Sequence, residues 1–180
     1  TLAKIIDQVK KLDLSPIEKE IIVVDNNSTD NTFHIASYIS GIKVFQEEKK
    51  GKGCAVKKGI EKSTGDFILI QDADLEYSPE DIPNIINKMV TEKTIVYGSR
   101  NMGTDRKGGL LARLGVWLLT KEFNLLFNTR LTDLWTCYKL FPKEASHLFK
   151  NGGFESELSF SAEVIKNGFK IVETPISYNQ

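Results

Sequence analysis

Cysteine, histidine and net charge are all scarce in this chain. Two cysteines and two histidines stand among 180 residues, and 24 basic residues balance 24 acidic ones. Cys54 and Cys137 lie far apart without metal-ligand spacing, so both are expected to be small buried or half-buried thiols in a reducing compartment. His34 and His147 fall in helix-like segments, and no Ser/His/Asp or Cys/His arrangement suggests nucleophilic catalysis. Zero net charge gives no global signal for nucleic acid. No apolar run approaches the ~18–20 residues of a membrane-spanning helix, and no signal peptide is expected. Repeats and low-complexity segments are missing too. The composition, 41% hydrophobic and 27% charged, suits one soluble domain over residues 1–180 with a sizeable core.

What is present is an alternation of helical and strand-like segments. Leu2, Ile5, Ile6, Val9 and Leu12 recur at helical spacing, and Pro16 breaks the pattern. Glu20 to Asp25 predicts a buried strand ending in an acid. Ser28, Thr29 and Asp30 are candidate caps for a helix running to about Ser40. Ile42 to Gln46 is a short strand, and the basic glycine turn Lys49 to Gly53 leads into a helix to about Ser63. Phe67 to Ile70 is an unbroken apolar run, predicted as a strand covered on both faces. A helix from Asp81 or Pro83 follows, with Ile82, Ile85, Ile86, Met89 and Val90 on its apolar face, and then a strand from Thr94 to Tyr97. This order predicts an α/β fold with a mostly parallel central sheet flanked by helices. After a polar loop, Leu110 to Asn128 forms one long helix with an unusually wide apolar face. That width fits packing on two sides or in a dimer, and it also fits contact with a membrane or a lipid acceptor. An apolar strand at Lys139 to Phe141, a short helix, a helix from Phe154 to about Asn167 and a strand at Lys170 to Pro175 complete the chain.

The chemistry is expected where the Phe67–Ile70 strand runs out into Asp72-Ala73-Asp74. Two carboxylates so close repel each other unless a cation lies between them. A divalent metal carrying a diphosphate is such a partner, since hard cations take oxygen ligands. Open α/β sheets bind ligands outside the carboxyl ends of their strands. Asp25, the Asp72–Asp74 pair and Arg100 all fall at such ends, and Lys52 lies on a loop able to reach the same edge. Carboxylates for a metal, beside lysine and arginine for phosphate oxygens, are what a metal–diphosphate ligand requires. Singly, each feature has a plainer reading. The acid pair fits a solvated turn, Asp25 a helix cap, Arg100 a surface ion pair, and the glycine–lysine turn a loop without the Gly-Lys-Ser/Thr of a phosphate-binding loop.

In their order along the chain the pieces are more specific. Ile22 to Asp30, Lys50-Gly51-Lys52-Gly53-Cys54-Ala55, Gly65 to Asp74 and Gly98-Ser99-Arg100 together resemble the family-2 glycosyltransferases with the GT-A fold. Thr132-Asp133 to Phe141 and Phe154-Glu155-Ser156-Glu157 look like the polyprenol-phosphate branch, of the dolichyl-phosphate mannosyl- and glucosyltransferase type. The resemblance spans about residues 2 to 180. It implies that Asp25, with the turn at Asn27, contacts the nucleotide base. It further implies that Asp72, Asp74 and Glu76 bind Mg2+ or Mn2+ and the donor diphosphate, with Lys52 on the donor side. Arg100 and Arg113 would hold the acceptor phosphate, while Asp133 and Lys139 line the donor and acceptor side. Glu155 and Glu157 would open a helix near the site. The implied donor is a nucleotide diphosphate sugar of the GDP-mannose or UDP-glucose type, the acceptor a polyprenyl phosphate, and the place the cytoplasm or the cytoplasmic face of a membrane. A family-2 transferase acting on a sugar hydroxyl, or a degenerate nucleotide-sugar-binding domain, would share much of this pattern.

The chain departs from the family pattern in four places. Asn26 replaces a second acid, Asn27 replaces a common glycine, and Glu76 stands where glutamine is frequent. The family's usual opening strand is not supplied before Leu2, which suggests a piece of a longer protein.

Overall fold

The apolar spacing at Ile5, Ile6 and Val9 does build a helix, α1 (Leu2–Lys11), in the computed structural model, which describes residues 1–102, 110–153 and 155–179, without the side chains of 110–113. It is followed by β1 (Ile22–Asp25), α2 (Thr32–Ser37), β2 (Lys43–Gln46), α3 (Lys52–Lys62) and β3 (Phe67–Ile70). Then come α4 (Ile82–Asn87), β4 (Thr94–Ser99), α5 (Leu110–Phe127), β5 (Lys139–Pro142), α6 (Glu155–Lys166) and β6 (Lys170–Pro175). Short 3-10 segments at Pro79–Asp81 and Lys143–Leu148 precede α4 and α6. Helix α2 stops short of Ser40, and α4 stops before Met89 and Val90, which leaves Val90 exposed. Asp30 does accept the Thr32 amide at the start of α2, although Asn31 occupies the cap position.

Among the described residues the strands form two sheets. One pairs β1 with β2 in parallel; the other has the order β3-β5-β4-β6. Strands β4 and β6 are parallel, whereas β5 runs antiparallel to both of its neighbours, so the larger sheet is mixed. The chain reaches β5 after the long excursion through α5 and enters between β3 and β4 from the opposite end. A local alternation of helix and strand carries no record of that reversal.

The centre of the sheet is β4, buried along its whole length. Its side chains alternate between two cores, as strand geometry requires. Ile95 and Tyr97 face a cluster with Ile60 of α3, Phe141 of β5, and Phe160 and Val164 of α6. Val96 faces the other way, with Leu140, Ile82 and Ile85, and with Val9 and Leu12 from the α1 side. A third cluster of Phe123, Leu131 and Leu134 seats α5.

The strand expected to be covered on both faces, β3, pairs among the described residues only with β5. Phe67 is 47% exposed, and Ile68 and Leu69 are half-buried. The unbroken apolar run comes from an edge strand. The starts of β1, β2 and β3 are tied together by one acid. Glu20 accepts the Thr64 and Gly65 amides at 2.5 and 3.0 Å and pairs with Lys43 at 2.7 Å.

Candidate functional site

The last residue of β3, Ile70, is buried, and the chain then turns out of the sheet. The Gln71 amide holds the turn by donating to the Asp72 and Tyr77 carbonyls. Asp74 accepts the Glu76 amide at 3.0 Å, which folds the segment back through Leu75 at φ 73°. A cleft of about 630 Å³ opens there, with Lys52, Asp72, Asp74, Glu76 and Arg100 on its walls beside Tyr77, Trp135 and Cys137. Five residues read from sequence as donor, metal or acceptor groups therefore share one cavity, although they come from three separate parts of the chain.

The charges in the cleft are already engaged. Lys52 Nζ donates to Asp72 Oδ2 at 2.9 Å and lies 3.1 Å from Glu157 Oε1. Burial alone would lower the Lys52 ammonium, but Glu157 and Asp72 outweigh it and hold the group charged. Glu76 accepts from Tyr178 at 2.6 Å. The three acids Asp72, Asp74 and Glu76 thus each turn to a different partner. Among the described residues, no group of three or more His, Cys, Asp or Glu side chains comes together closely enough to hold a metal ion. The expected three-acid ligand set is not assembled by the protein alone. Mutual repulsion between carboxylates is the physical reason.

Arg100, just beyond β4, forms a two-pronged pair with Asp133: Nε to Oδ2 at 2.7 Å and Nη2 to Oδ1 at 2.8 Å. Its own amide also donates to Asp133 Oδ2, at 3.0 Å. Asp133 is fully buried, so it acts on Arg100 and does not line the cleft itself. Burial would lower the guanidinium, and Asp133 more than restores it. The other face of Arg100 lies over the Tyr178 ring at 5.3 Å. Glu173 of β6 accepts the Thr132 and Asp133 amides at 2.8 Å each, fixing the loop that presents Asp133. Lys139 is fully buried too and reaches Glu157, not the cleft.

Asp25 lies outside the walls of this cleft. It is 4% exposed, accepts the Ser28 amide through Oδ2, and keeps a buried Oδ1 without a hydrogen-bond partner. Asn27 takes φ 57° in the turn that follows, a conformation Asn tolerates better than most residues. Arg113 belongs to α5, and its side chain lies outside the described residues.

Sequence reasoning missed Trp135, Cys137, Tyr77 and Tyr178 as site residues. It also missed Glu173, although an acid inside the apolar run Lys170 to Pro175 was a visible signal. Burial pushes the Cys137 thiol up to about 11, so it is a poor nucleophile near neutrality.

Comparison with known proteins bears on the chain as a whole. The model of "Glycosyl transferase family 2" matches residues 1–149. The low-salt glycan biosynthesis hexosyltransferase Agl6 of Haloferax volcanii is 30% identical over 99% of this chain and 44% of its own length. A dolichol-phosphate mannosyltransferase of Pyrococcus furiosus is 37% identical over 53% of this chain and 27% of its own. The chain thus spans less than half the length of either relative. Glucosyl-3-phosphoglycerate synthase of Mycobacterium tuberculosis, solved with Mn2+, uridine diphosphate and glucosyl-3-phosphoglycerate, superposes with a TM-score of 0.73 at 21% identity, over all of this chain and 67% of that one. A mycobacterial protein of similar fold gives a TM-score of 0.75 at 19% identity, over all of this chain and 63% of that one.

Proposed function

Since the chain belongs to glycosyl transferase family 2 and carries the GT-A fold, we propose that it moves a sugar from a nucleotide diphosphate sugar to a polyprenyl phosphate, with inversion at the anomeric carbon. The observation that carries this reading is the single cleft in which Asp72 and Asp74 meet Lys52 and Arg100. The proposed donor is of the GDP-mannose or UDP-glucose type. Asp25, with one buried carboxylate oxygen unpartnered, would accept an N–H of the base.

The residues fit Mg2+ or Mn2+ in one arrangement. Asp72 and Asp74 would supply one or two carboxylates, and the diphosphate and water would supply the remaining oxygens, as small hard cations commonly require. When bound, the ion neutralises the departing diphosphate as a Lewis acid. Lys52 adds a positive charge on the same side, and Arg100, steadied by Asp133, orients the acceptor phosphate together with Arg113.

The choice of acceptor follows from the acids available. A hydroxyl acceptor needs a carboxylate base free to take its proton, best with a pKa raised toward the working pH. Asp133 is buried and locked onto Arg100. For Glu157, burial pushes the carboxyl up, but Lys139 and Lys52 outweigh it and the net direction is down. Glu155 is held down by the Gly153 amide. Asp133 and Glu157 are thus committed to cations, and Glu155 to a backbone amide. A phosphate acceptor requires no base, because its second pKa is about 6. The apolar face of α5 supports a lipid-linked acceptor as well: Leu114, Trp117, Leu118, Leu125 and Leu126 are each more than half exposed. No helix among the described residues is long and apolar enough to cross a membrane. The proposed place of action, at the cytoplasmic face of one, rests on the lipid-linked acceptor and the exposed face of α5.

The test is a screen of nucleotide sugars against a short prenyl phosphate, with Mn2+, Mg2+ or chelator. Transfer to the prenyl phosphate that depends on the metal, and that falls at least about a hundredfold in Asp74→Asn, is expected. Transfer to an oligosaccharide hydroxyl instead, or full turnover by Asp74→Asn, would overturn the reading.

A further inference from the structure

Behind the cleft, four charged side chains alternate in a row that begins in the core. Lys139 Nζ donates to Glu157 Oε2 at 2.5 Å, Glu157 Oε1 lies 3.1 Å from Lys52 Nζ, and Lys52 donates to Asp72 at 2.9 Å. Lys139 also donates to the Thr136 carbonyl and lies 4.9 Å from the centre of the Tyr97 ring. Lys139 is fully buried and Glu157 is 5% exposed. Buried ion pairs are weak contributors to stability, and apolar side chains of similar size often serve a core as well. The row therefore invites a reason other than stability, and its direction suggests one: it runs from β5, through α6, to the cleft wall.

The backbone is built to bring its members together. A Cβ at Gly53 would stand 2.6 Å from the Gly152 carbonyl oxygen and would also strike the Ser156 side chain. At Gly51, which has φ +130°, a Cβ would come within 2.9 Å of that same oxygen. These glycines let the start of α3 touch the segment entering α6, so that Lys52 and Glu157 reach ion-pair distance. The glycine–lysine turn is thus a docking surface between two helix starts.

We propose that Glu157 is a positioning residue for Lys52, backed by Lys139, and that it keeps the Lys52 ammonium in the cleft once the donor claims Asp72. This rests on the donor site proposed above. Before the donor arrives, Lys52 is shared between the carboxylates of Asp72 and Glu157, with the Cys137 sulfur beside it. A metal–diphosphate ligand draws on the Asp72 carboxylate, and Lys52 passes from Asp72 to a diphosphate oxygen. Its stem is long and flexible, and a compact ammonium is strongly hydrated. Of the groups that hold Lys52, Glu157 is the anion that does not face the donor, and its charge opposes the escape of the ammonium to solvent.

Calorimetric titration of the full chain with Mn2+ tests this, using UDP against UMP and GDP against GMP as probes. Glu157→Gln is expected to weaken the preferred nucleoside diphosphate about tenfold, the size of one charge-assisted contact, and to leave its monophosphate unchanged. Combined with Lys52→Gln, it should cost nothing further, since both remove the same contact. If Glu157→Gln does not fold because Lys139 is stranded, Glu157→Gln with Lys139→Met removes the buried charge and is read in the same way. Equal losses for mono- and diphosphate, no loss at all, or additivity with Lys52→Gln would overturn the inference alone. A wild-type chain that binds neither diphosphate would overturn the proposed function, and this inference with it.

Discussion

Asn26 shows how a single atom type decides a role. Its position is one where the family often carries a second acid, and by sequence it looks like a lost binding group. In the fold its Nδ2 donates to the Glu47 and Lys49 carbonyls at 3.2 and 2.8 Å, while its Oδ1 accepts the Gly51 amide at 2.7 Å. The side chain pins the end of β1 to the turn that carries Lys52. A carboxylate retains the acceptor but has no hydrogen to give and faces two carbonyl oxygens. Asn26→Asp is therefore expected to destabilise the protein by about 1–2 kcal/mol at neutral pH. A lower urea midpoint with an unchanged slope would show it. An unchanged midpoint would mean that the amide contributes nothing. At this scale the sequence was informative about which residues matter and poor about their partners. Asp72, Lys52 and Arg100 were readable because strand ends and basic turns have local signatures. Tyr178 was not, because its importance lies in a contact from the tail to distant loops; Glu173 stood out as an acid in an apolar run, but nothing local named the Thr132 and Asp133 amides as its partners.

At the scale of elements, most helices and strands fall where the apolar periods put them, while sheet order and the edge position of β3 do not follow from those periods. An apolar run of four residues reads alike in the centre of a sheet and at its edge. Glu20 is the clearest case of an element-scale device hidden in the sequence, an acid at a strand start that ties together three strands. The Lys43 ammonium and the Thr64 amide lower its carboxyl from 4.5 to about 2. Because the folded value lies below the unfolded one, its contribution is complete above pH 4.5 and disappears as pH falls through about 2. Glu20→Gln should lower the melting temperature by about 3 °C at neutral pH, and the gap to wild type should close on acidification across that window. A gap that stays constant down to pH 2 would show that the charge of Glu20 is not what holds the strand starts.

For the molecule as a whole, the unresolved choice in the sequence was the wide apolar face of α5. Part of that width is core, since Phe123 is 6% exposed and packs with Leu131 and Leu134. Among the described side chains, Leu114, Trp117, Leu118, Leu125 and Leu126 face outward. Leu114, Leu118 and Leu125 recur at spacings of four and seven, which places them on one stripe, with Trp117 beside it at 55% exposure. Lys121 lies on the same side, its ammonium 5.8 Å from the centre of the Trp117 ring. Apolar side chains with a lysine among them match the interface of an anionic bilayer, where each leucine that leaves water contributes about 1.5 kcal/mol. The chain should therefore sediment with anionic vesicles, and Leu118→Glu with Leu125→Glu should abolish that binding while leaving nucleotide binding intact. The two tryptophans supply a direct probe. In a Trp135→Phe background only Trp117 emits, and its fluorescence should shift to the blue on vesicle addition, as an indole leaving water does. A blue shift that tracks protein concentration without vesicles would assign the stripe to a dimer instead, and the lipid acceptor would lose its main structural support.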